Sequence, residues 1–181
     1  MKKAFTMLEL IMVIVIIGIL AAVIIPRTAS NDTAEAAVKL ISDIRYTQHL
    51  AMVDDKYGQN ANWYRDLWQI NFNGNTYSIV SNGIAAKDPI SKKDLVENLN
   101  TKYGVTLAFT GCSDTSGNNI LSFDHIGRPL IGDLSTITTA YPVANTTTGY
   151  LMTANCIITV SGSAADVNIT IRPETGYASL P

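Results

Sequence analysis

The chain has 181 residues, of which 47% are hydrophobic, and its 13 basic and 15 acidic side chains give a formal net charge of −2. This length has room for one apolar segment and one modest globular domain, not for two folded domains. The slightly acidic balance gives no basis for nucleic-acid binding through overall phosphate neutralisation, although it leaves open a small local patch.

The N-terminus carries a long apolar segment. Residues 5–25 read FTMLELIMVIVIIGILAAVII, with Thr6 and Glu9 as the polar side chains. As a helix rising about 1.5 Å per residue, the segment would extend roughly 31 Å, close to the thickness of a bilayer core. Lys2 and Lys3 favour a cytoplasmic N-terminus, so the rest of the chain is expected outside the cytoplasm. No convincing small-x-small site follows the run, which favours a retained anchor over a conventional cleaved signal.

Glu9 is the unusual residue of this segment, because a charged side chain deep in a bilayer costs about 2.5–3.5 kcal/mol on insertion scales. Phe5 lies four residues earlier and therefore on the same helix face. Cleavage between Ala4 and Phe5 would place a new amino group near the carboxylate, on the same copy or on a neighbouring one, at the positive end of the helix dipole. The alternative is that Glu9 rests at the headgroup level and pairs with Lys2 or Lys3.

The stretch KKAFTMLELIMVIVIIGILAAVIIP resembles the class III signal of type IV pilins and type II secretion pseudopilins: a short basic leader, a small residue, Phe, Glu four positions on, and an apolar helix ending at Pro. The resemblance implies that a prepilin peptidase removes the leader, residues 1–4, and methylates the amine of Phe5. It also implies that Glu9 helps to register the subunit in a filament. The chain departs from the family at Ala4, where Gly is usual.

A second helical segment is predicted after the apolar one. Pro26 should kink the helix, and residues 26–56 are expected to continue it with an amphipathic pattern. The apolar stripe consists of Ala37, Leu40, Ile41, Ile44 and Ala51, and the charged residues predicted to lie largely off it are Glu35, Lys39, Asp43 and Arg45.

Residues 57–181 are predicted to form a globular β-sheet domain. The run DLWQINFNGNTYSIVS predicts a hairpin around Asn73 and Gly74. Further strands are predicted at 103–109, 119–123, 156–160 and 166–171, for a mostly antiparallel sheet of about five or six strands. A short helix is expected at 92–100 and a Thr-rich excursion, with an extra strand, at 130–149. The fold class is therefore α+β, with a long N-terminal helix, membrane-embedded in its first half, packed on the sheet.

This arrangement is that of the pilin fold, and the tail adds a second resemblance. NILSFDHIGRPL, followed later by CIITVSGSAADVNITIRPETGY, resembles the end of the H-type minor pseudopilins (the GspH/FimT family), in which a strand ends in a turn Gly and a terminal hairpin leads to another Gly. IRYTQHLAM resembles the end of their helix. Another pseudopilin or a minor pilin is the alternative.

The chain has two cysteines, Cys112 and Cys156. An even pair outside the cytoplasm is readily oxidised. A bridge closing a loop of about 45 residues would stabilise the fold by about 4 kcal/mol in the chain-entropy model. The sequence therefore predicts a disulfide, and two buried thiols are the alternative.

The sequence offers little for catalysis. His49 and His125 have no second histidine or cysteine at a ligand spacing. The loop SDTSGNN at 113–119 is only a weak match to a calcium loop, and its Asp114, like Asp124 and Asp133, is typical of turns. No G-x-S-x-G nucleophile context occurs. No catalytic residue, metal or cofactor is predicted, and the chain is not expected to be an enzyme.

The favoured interpretation is a minor pilin-like (pseudopilin) structural subunit, assembled from the bacterial inner membrane into a type II secretion or type IV pilus-like filament, with its globular domain in the periplasm. The implied partners are prepilin peptidase, other pilin or pseudopilin subunits, the inner-membrane assembly platform and membrane lipid. The alternative is a tip-located subunit that binds DNA or a surface receptor, which calls for cations beside aromatic residues. The sequence offers a thin set of candidates: Lys87, Lys92, Lys93, Lys102 and Arg128. A membrane-anchored periplasmic enzyme with an incidental Glu9 is the third interpretation.

Overall fold

The computed structural model describes residues 6–24, 32–142 and 148–181. The chain divides into two units, residues 1–31 and residues 32–181. The first unit contains one helix, α1 (Met7–Ile24), whose apolar residues are distributed around its whole circumference. The second unit begins with α2 (Asp32–Val53), which lies inside the range 26–56 predicted as amphipathic.

The rest of the second unit is mainly β-structure. A single 3-10 turn spans Trp63–Arg65, and a short helix, α3, spans Leu99–Tyr103. The strands are β1 (Trp68–Asn73), β2 (Thr76–Ser81), β3 (Ile84–Ala85), β4 (Val96–Asn98), β5 (Thr106–Thr110), β6 (Ile120–Phe123), β7 (Pro129–Ile131), β8 (Tyr150–Leu151), β9 (Cys156–Ser161), β10 (Val167–Ile171) and β11 (Ala178–Ser179).

The strands form two antiparallel sheets, where the sequence predicted one. In the first, the order is β3-β2-β1-β6-β7-β8, and β4 pairs with the same side of β2 as β3 does; in the second, the order is β11-β10-β9-β5. The predicted hairpin is confirmed, since β1 and β2 pair from Gln69 with Val80 to Asn73 with Thr76. The α+β class with antiparallel pairing is therefore correct. The strand count was too low, because the described residues contain eleven strands.

Helix α2 packs against strands of both sheets and supplies one side of the core. Its predicted apolar stripe is confirmed: Ala37, Leu40, Ile41, Ile44 and Ala51 are all buried. The facing core side chains come from the first sheet (Ile70, Phe72, Tyr77, Ile79, Leu121 and Phe123) and from the second (Ile158, Val160, Ile169 and Ile171). The prediction for Asp43 was wrong, because this carboxylate lies on the buried face of α2.

The segment after β3 also differs from the sequence prediction. Residues 92–100 were expected to be helical, but 96–98 form β4, and α3 starts only at Leu99. The strand predicted at 103–109 begins later, at Thr106, since Tyr103 still belongs to α3 and Gly104 ends that helix in the left-handed conformation, at φ 67°. Pairing of β4 with β2 is a contact between distant parts of the chain, and it overrides the local helical pattern.

The Thr-rich excursion begins with β7 and ends just before β8. It carries Leu134 and Ile137, which are buried with Tyr64, Leu67 and Leu130 in a second, smaller core cluster. This excursion is therefore part of the packed structure and not a solvated loop, as far as residues 132–142 and 148–149 are concerned.

Two turns of the tail meet on α2. The Gln48 side-chain amide donates to the carbonyl oxygens of Gly127 and Thr175, at 2.9 Å each. Gly176 has φ +63°, and a Cβ at this position would lie 2.5 Å from the Gly127 oxygen. Only glycine fits this approach without displacing the turns. Gln48 thus ties the end of the chain and the β6–β7 turn to the same side of α2.

Candidate functional site

The surface of α1 is the least ordinary part of the molecule. All residues from 6 to 21 are exposed, and the large apolar side chains between Met7 and Leu20 are 45–83% exposed. A water-soluble helix normally buries one apolar stripe, whereas this one is apolar all round. None of the helices, as far as the described residues show, combines the length and the hydrophobicity required to cross a membrane.

Glu9 lies in the first turn of α1, and Thr6 is the residue that directly precedes that helix. The Glu9 N–H donates to the Thr6 carbonyl oxygen at 3.1 Å and to Thr6 Oγ1 at 3.3 Å. A Thr whose hydroxyl accepts from the N–H of the third helical residue, itself a Glu, makes the first of the two hydrogen bonds of a capping box and satisfies an otherwise unpaired N–H. The spacing T-x-x-E that marks this cap is readable in the sequence. Near the N-terminus, the Glu9 carboxylate also complements the helix dipole.

The remaining predicted residues of this region lie outside the described part of the chain. They are Ala4 and Phe5, at the expected cleavage point, and Pro26, at the expected kink. Their predicted roles therefore stay predictions.

The predicted disulfide between Cys112 and Cys156 is present, with the two Cα atoms 4.7 Å apart. It joins the residues after β5 to the first residue of β9, and both cysteines are buried. The bridge therefore fixes the end of β5 to the start of β9, the two places between which residues 113–155 leave the second sheet.

A buried polar cluster that the sequence did not suggest lies between α2 and β2. Asp43 is 5% exposed. Lys39 Nζ donates to both of its carboxylate oxygens at 2.8 Å, and the Tyr77 hydroxyl donates to one of them at 2.5 Å. Burial, and then the Asp43 charge, raise the pKa of Tyr77, so it stays a neutral donor. The cluster holds α2 on the sheet and has no free nucleophile.

Aspartates in turns use their carboxylates on their own loops. Asp114 accepts from the backbone N–H groups of Ser116, Asn118 and Asp133 and from the Asn118 side chain, at 2.9–3.1 Å. Burial alone would raise the pKa of Asp114, but these hydrogen bonds outweigh it and lower the pKa. In the described part of the chain, no group of three His, Cys, Asp or Glu side chains is arranged to hold a metal ion.

The structure brings aromatic side chains together around one of the predicted cations. The Arg128 guanidinium lies over the Tyr141 ring at 4.4 Å, and its Nε donates to buried Asp124 at 2.8 Å. Tyr57, which is exposed, packs on the His125 ring at 4.6 Å. The predicted lysines, Lys87, Lys92, Lys93 and Lys102, lie elsewhere, on the segment between β3 and the end of α3.

No family model, curated protein or solved structure matches this chain. Function is therefore inferred from its own residues.

Proposed function

We propose that the chain is a minor pilin-like (pseudopilin) structural subunit that joins a type II secretion or type IV pilus-like filament through α1 and Glu9. The observation that carries this proposal is the surface of α1, which is apolar on every side and bears a single carboxylate in its first turn. Water disfavours such a surface, so lipid or other apolar helices must cover it. A bundle of like helices is the structure that a filament core provides.

The Glu9 carboxylate favours the transfer of the helix from lipid into the bundle. Apolar side chains gain little on moving from lipid into a helix bundle, because lipid tails are as apolar as they are. Glu9 gains more, since in lipid it costs about 2.5–3.5 kcal/mol, whereas in the bundle the Phe5 amine of a neighbouring subunit neutralises it. Cleavage by prepilin peptidase after Ala4 would create that amine, and an ATP-driven inner-membrane assembly platform would extract the subunit.

The second unit supports the same proposal at the level of its fold. Helix α2 packs one face against antiparallel sheets, and we propose that it corresponds to the second half of the long helix of the pilin fold. The two turn glycines that carry the resemblance to H-type minor pseudopilins, Gly127 and Gly176, contact each other and Gln48 of α2. The disulfide suits an oxidising compartment such as the periplasm. We propose that this unit lies in the periplasm and that the apolar segment of residues 5–25, of which α1 is the described part, lies in the inner membrane before assembly.

Mass spectrometry of the mature N-terminus tests the proposal directly. In cells that possess the peptidase, the chain should begin at N-methylated Phe5. A chain that keeps Met1 in those cells contradicts the proposal.

A Glu9→Val substitution tests the mechanism. Membrane insertion should stay intact, and incorporation into filaments should fall by about 100-fold at equilibrium, the equivalent of about 2.8 kcal/mol of lost driving force. Ile17→Val, which changes the same helix without a charge, is the matched control. If the Glu9→Val chain is incorporated as well as the wild type, charge pairing is not part of the mechanism.

A tip-located subunit that binds DNA or a surface receptor is the second candidate, favoured by the aromatic cluster around Arg128. Exposed Tyr57 offers a face for stacking. Arg128 adds little net positive charge to this surface, because Asp124 neutralises it. Fluorescence anisotropy with single-stranded DNA at low and high salt separates the two candidates. Salt-sensitive binding that Tyr57→Leu weakens and Tyr57→Phe preserves would favour the second; absence of binding favours the first.

A further inference from the structure

A short hairpin projects from the edge of the first sheet between β3 and β4. Ile79 of β2 contacts both of its ends, since its carbonyl oxygen accepts from the Ala86 N–H at 2.8 Å and its own N–H donates to the Leu95 oxygen at 3.2 Å. The Leu95 N–H also donates to the Ala86 oxygen at 2.8 Å. Residues 87–94, here named the edge hairpin, therefore leave the sheet and return to it at the same point.

The edge hairpin is held in one conformation by its own groups. The Asp88 carboxylate accepts from the N–H groups of Ile90, at 3.0 Å, and Ser91, at 2.6 Å. Lys87 and Asp94 pair across the hairpin through a backbone bridge and through their charged side chains. Because these bonds fix the tip in advance, a partner that binds it has little left to order.

The tip presents an apolar side chain to solvent. Ile90 is 93% exposed, the highest value of any large apolar side chain in the described ranges. Lys92 and Lys93 follow it, and within the same ranges neither forms a salt bridge. The tip thus combines one apolar knob with two ammonium groups, and its complement is an apolar pocket with an acidic rim.

The same unit carries a pocket that has an apolar patch among mostly polar lining residues. A cavity of about 320 Å³ lies between the start of β1 and the β2–β3 turn, and Trp68 and Ile84 supply its apolar lining. Trp68 Nε1 donates to the Asp54 carboxylate at 2.9 Å, which fixes the indole ring. Among the described residues that line the pocket, Asp54 forms a salt bridge with Lys56 at 2.6 Å. The Asp66 carboxylate accepts from the Asn60 side-chain amide at 2.9 Å and keeps its negative charge uncompensated by any described lining cation.

We propose that the Ile90 tip of one copy docks into the Trp68 pocket of a second copy. The apolar knob would meet Trp68 and Ile84, and the tip lysines would approach Asp66, which forms no salt bridge with any described residue. Because tip and pocket are different surfaces of one unit, the contact is heterologous and can repeat from copy to copy without closing.

The contact is a small one, so it depends on crowding. A single loop in a pocket buries far less than the roughly 1,200 Å² of a stable interface. Copies held at one membrane reach the effective concentration that such a contact requires. The inference rests on the proposed membrane anchoring and goes beyond the proposed function, since it needs neighbouring copies but neither cleavage at Phe5 nor the charge of Glu9.

Photo-crosslinking of the full chain tests the contact. A benzophenone amino acid replaces Ile90 in the chain reconstituted at high density in phosphatidylcholine vesicles, with an isotope-labelled second copy as acceptor. On illumination we expect covalent dimers and longer ladders, and mass spectrometry should map the cross-link to residues 54–84 of the labelled copy. Ile84→Lys in the acceptor should reduce the dimer about tenfold, and Lys92→Glu with Lys93→Glu in the donor should also reduce it.

The matched control places the benzophenone at Ile126, which is 59% exposed and lies outside the edge hairpin. Cross-links from position 90 that map elsewhere on the acceptor, that reach only lipid, or that do not exceed those from position 126 would overturn the inference. The Glu9→Val chain should cross-link in vesicles as the wild type does. Failure of docking and failure of filament incorporation are thus separate results.

Discussion

Each of the two long helices carries one acidic residue that interrupts an apolar surface. The two residues differ in burial and in the partners of their carboxylates. Asp43 of α2 is buried and is bound by Lys39 and Tyr77 of its own chain. Glu9 of α1 is exposed and forms no salt bridge with any described residue, a set that leaves out Lys2, Lys3 and Phe5. Asp43 therefore has its charge partner within the second unit, whereas Glu9 has none among the described residues.

The largest effect expected within the second unit comes from the disulfide. Replacing both Cys112 and Cys156 by Ser should lower the free energy of unfolding by about 4 kcal/mol, because the bridge closes a loop across 44 residues in the unfolded chain. Denaturant unfolding of the full chain, followed by tryptophan fluorescence, measures this. Wild-type protein under reducing conditions should match the variant, and the variant should not respond to reductant. An unchanged midpoint would mean that the unit does not depend on the bridge.

Asp43→Ala should have the next largest effect, about 3 kcal/mol, since it leaves the Lys39 ammonium and the Tyr77 hydroxyl without their shared partner. The estimate is the lower end of the usual range, because the Lys39 side chain is 25% exposed. Glu35→Ala, at an exposed position of the same helix, is the control and should change stability by less than about 0.5 kcal/mol. Equal effects of the two substitutions would contradict the conclusion that Asp43 is a buried acid whose partners stabilise the fold.

The sequence predicted what depends on local pattern. The α2 stripe and the β1–β2 hairpin follow from spacings of a few residues, and both are confirmed. Asp43 was misplaced because periodicity sorts residues by polarity, and its partner Tyr77 lies 34 residues away. The helix expected at 92–100 failed for a related reason, since β4 is held by β2, a contact that no local window contains.

The residues of the candidate site also differ in whether local sequence could predict them. Glu9 and the cysteines are recognisable from their neighbours in sequence and from compartment chemistry. The edge hairpin and the Trp68 pocket are not, because they arise when Ile79 holds residues 86 and 95 at one place and when β1 sets Trp68 beside the β2–β3 turn. The Thr6 cap belongs with the predictable features, because its T-x-x-E motif is local in the sequence.

Acid should weaken the second unit through Asp114. The pKa of its carboxyl is lowered in the folded state below the ordinary 3.8, so the folded state binds fewer protons than the unfolded state. Its contribution is complete above 3.8 and is lost as the pH falls through the lowered value. We expect a loss of about 2 kcal/mol, the usual size for hydrogen bonds to a charged group.

Denaturant midpoints between about pH 6 and about pH 2 measure this loss. Asp114→Asn should remove that part of the pH dependence, whereas Asp55→Asn, at an exposed site, should retain it. If both variants follow the wild-type curve, another carboxyl is responsible.

The smallest effect is expected at Thr6 and concerns α1. Thr6→Ala removes the hydroxyl that accepts from the Glu9 N–H and should cost about 1 kcal/mol of stability in the first helical turn. Amide hydrogen exchange at residues 7–9 in detergent micelles should accelerate about fivefold, while exchange in α2 stays unchanged. Thr6→Ser keeps the acceptor and should exchange as the wild type does. The proposed pairing of Glu9 with a neighbouring subunit predicts a second effect. If it starts from the helical turn that this cap fixes, Thr6→Ala should weaken filament incorporation, though less than Glu9→Val. Equal incorporation of Thr6→Ala and wild type would limit the cap to starting the helix.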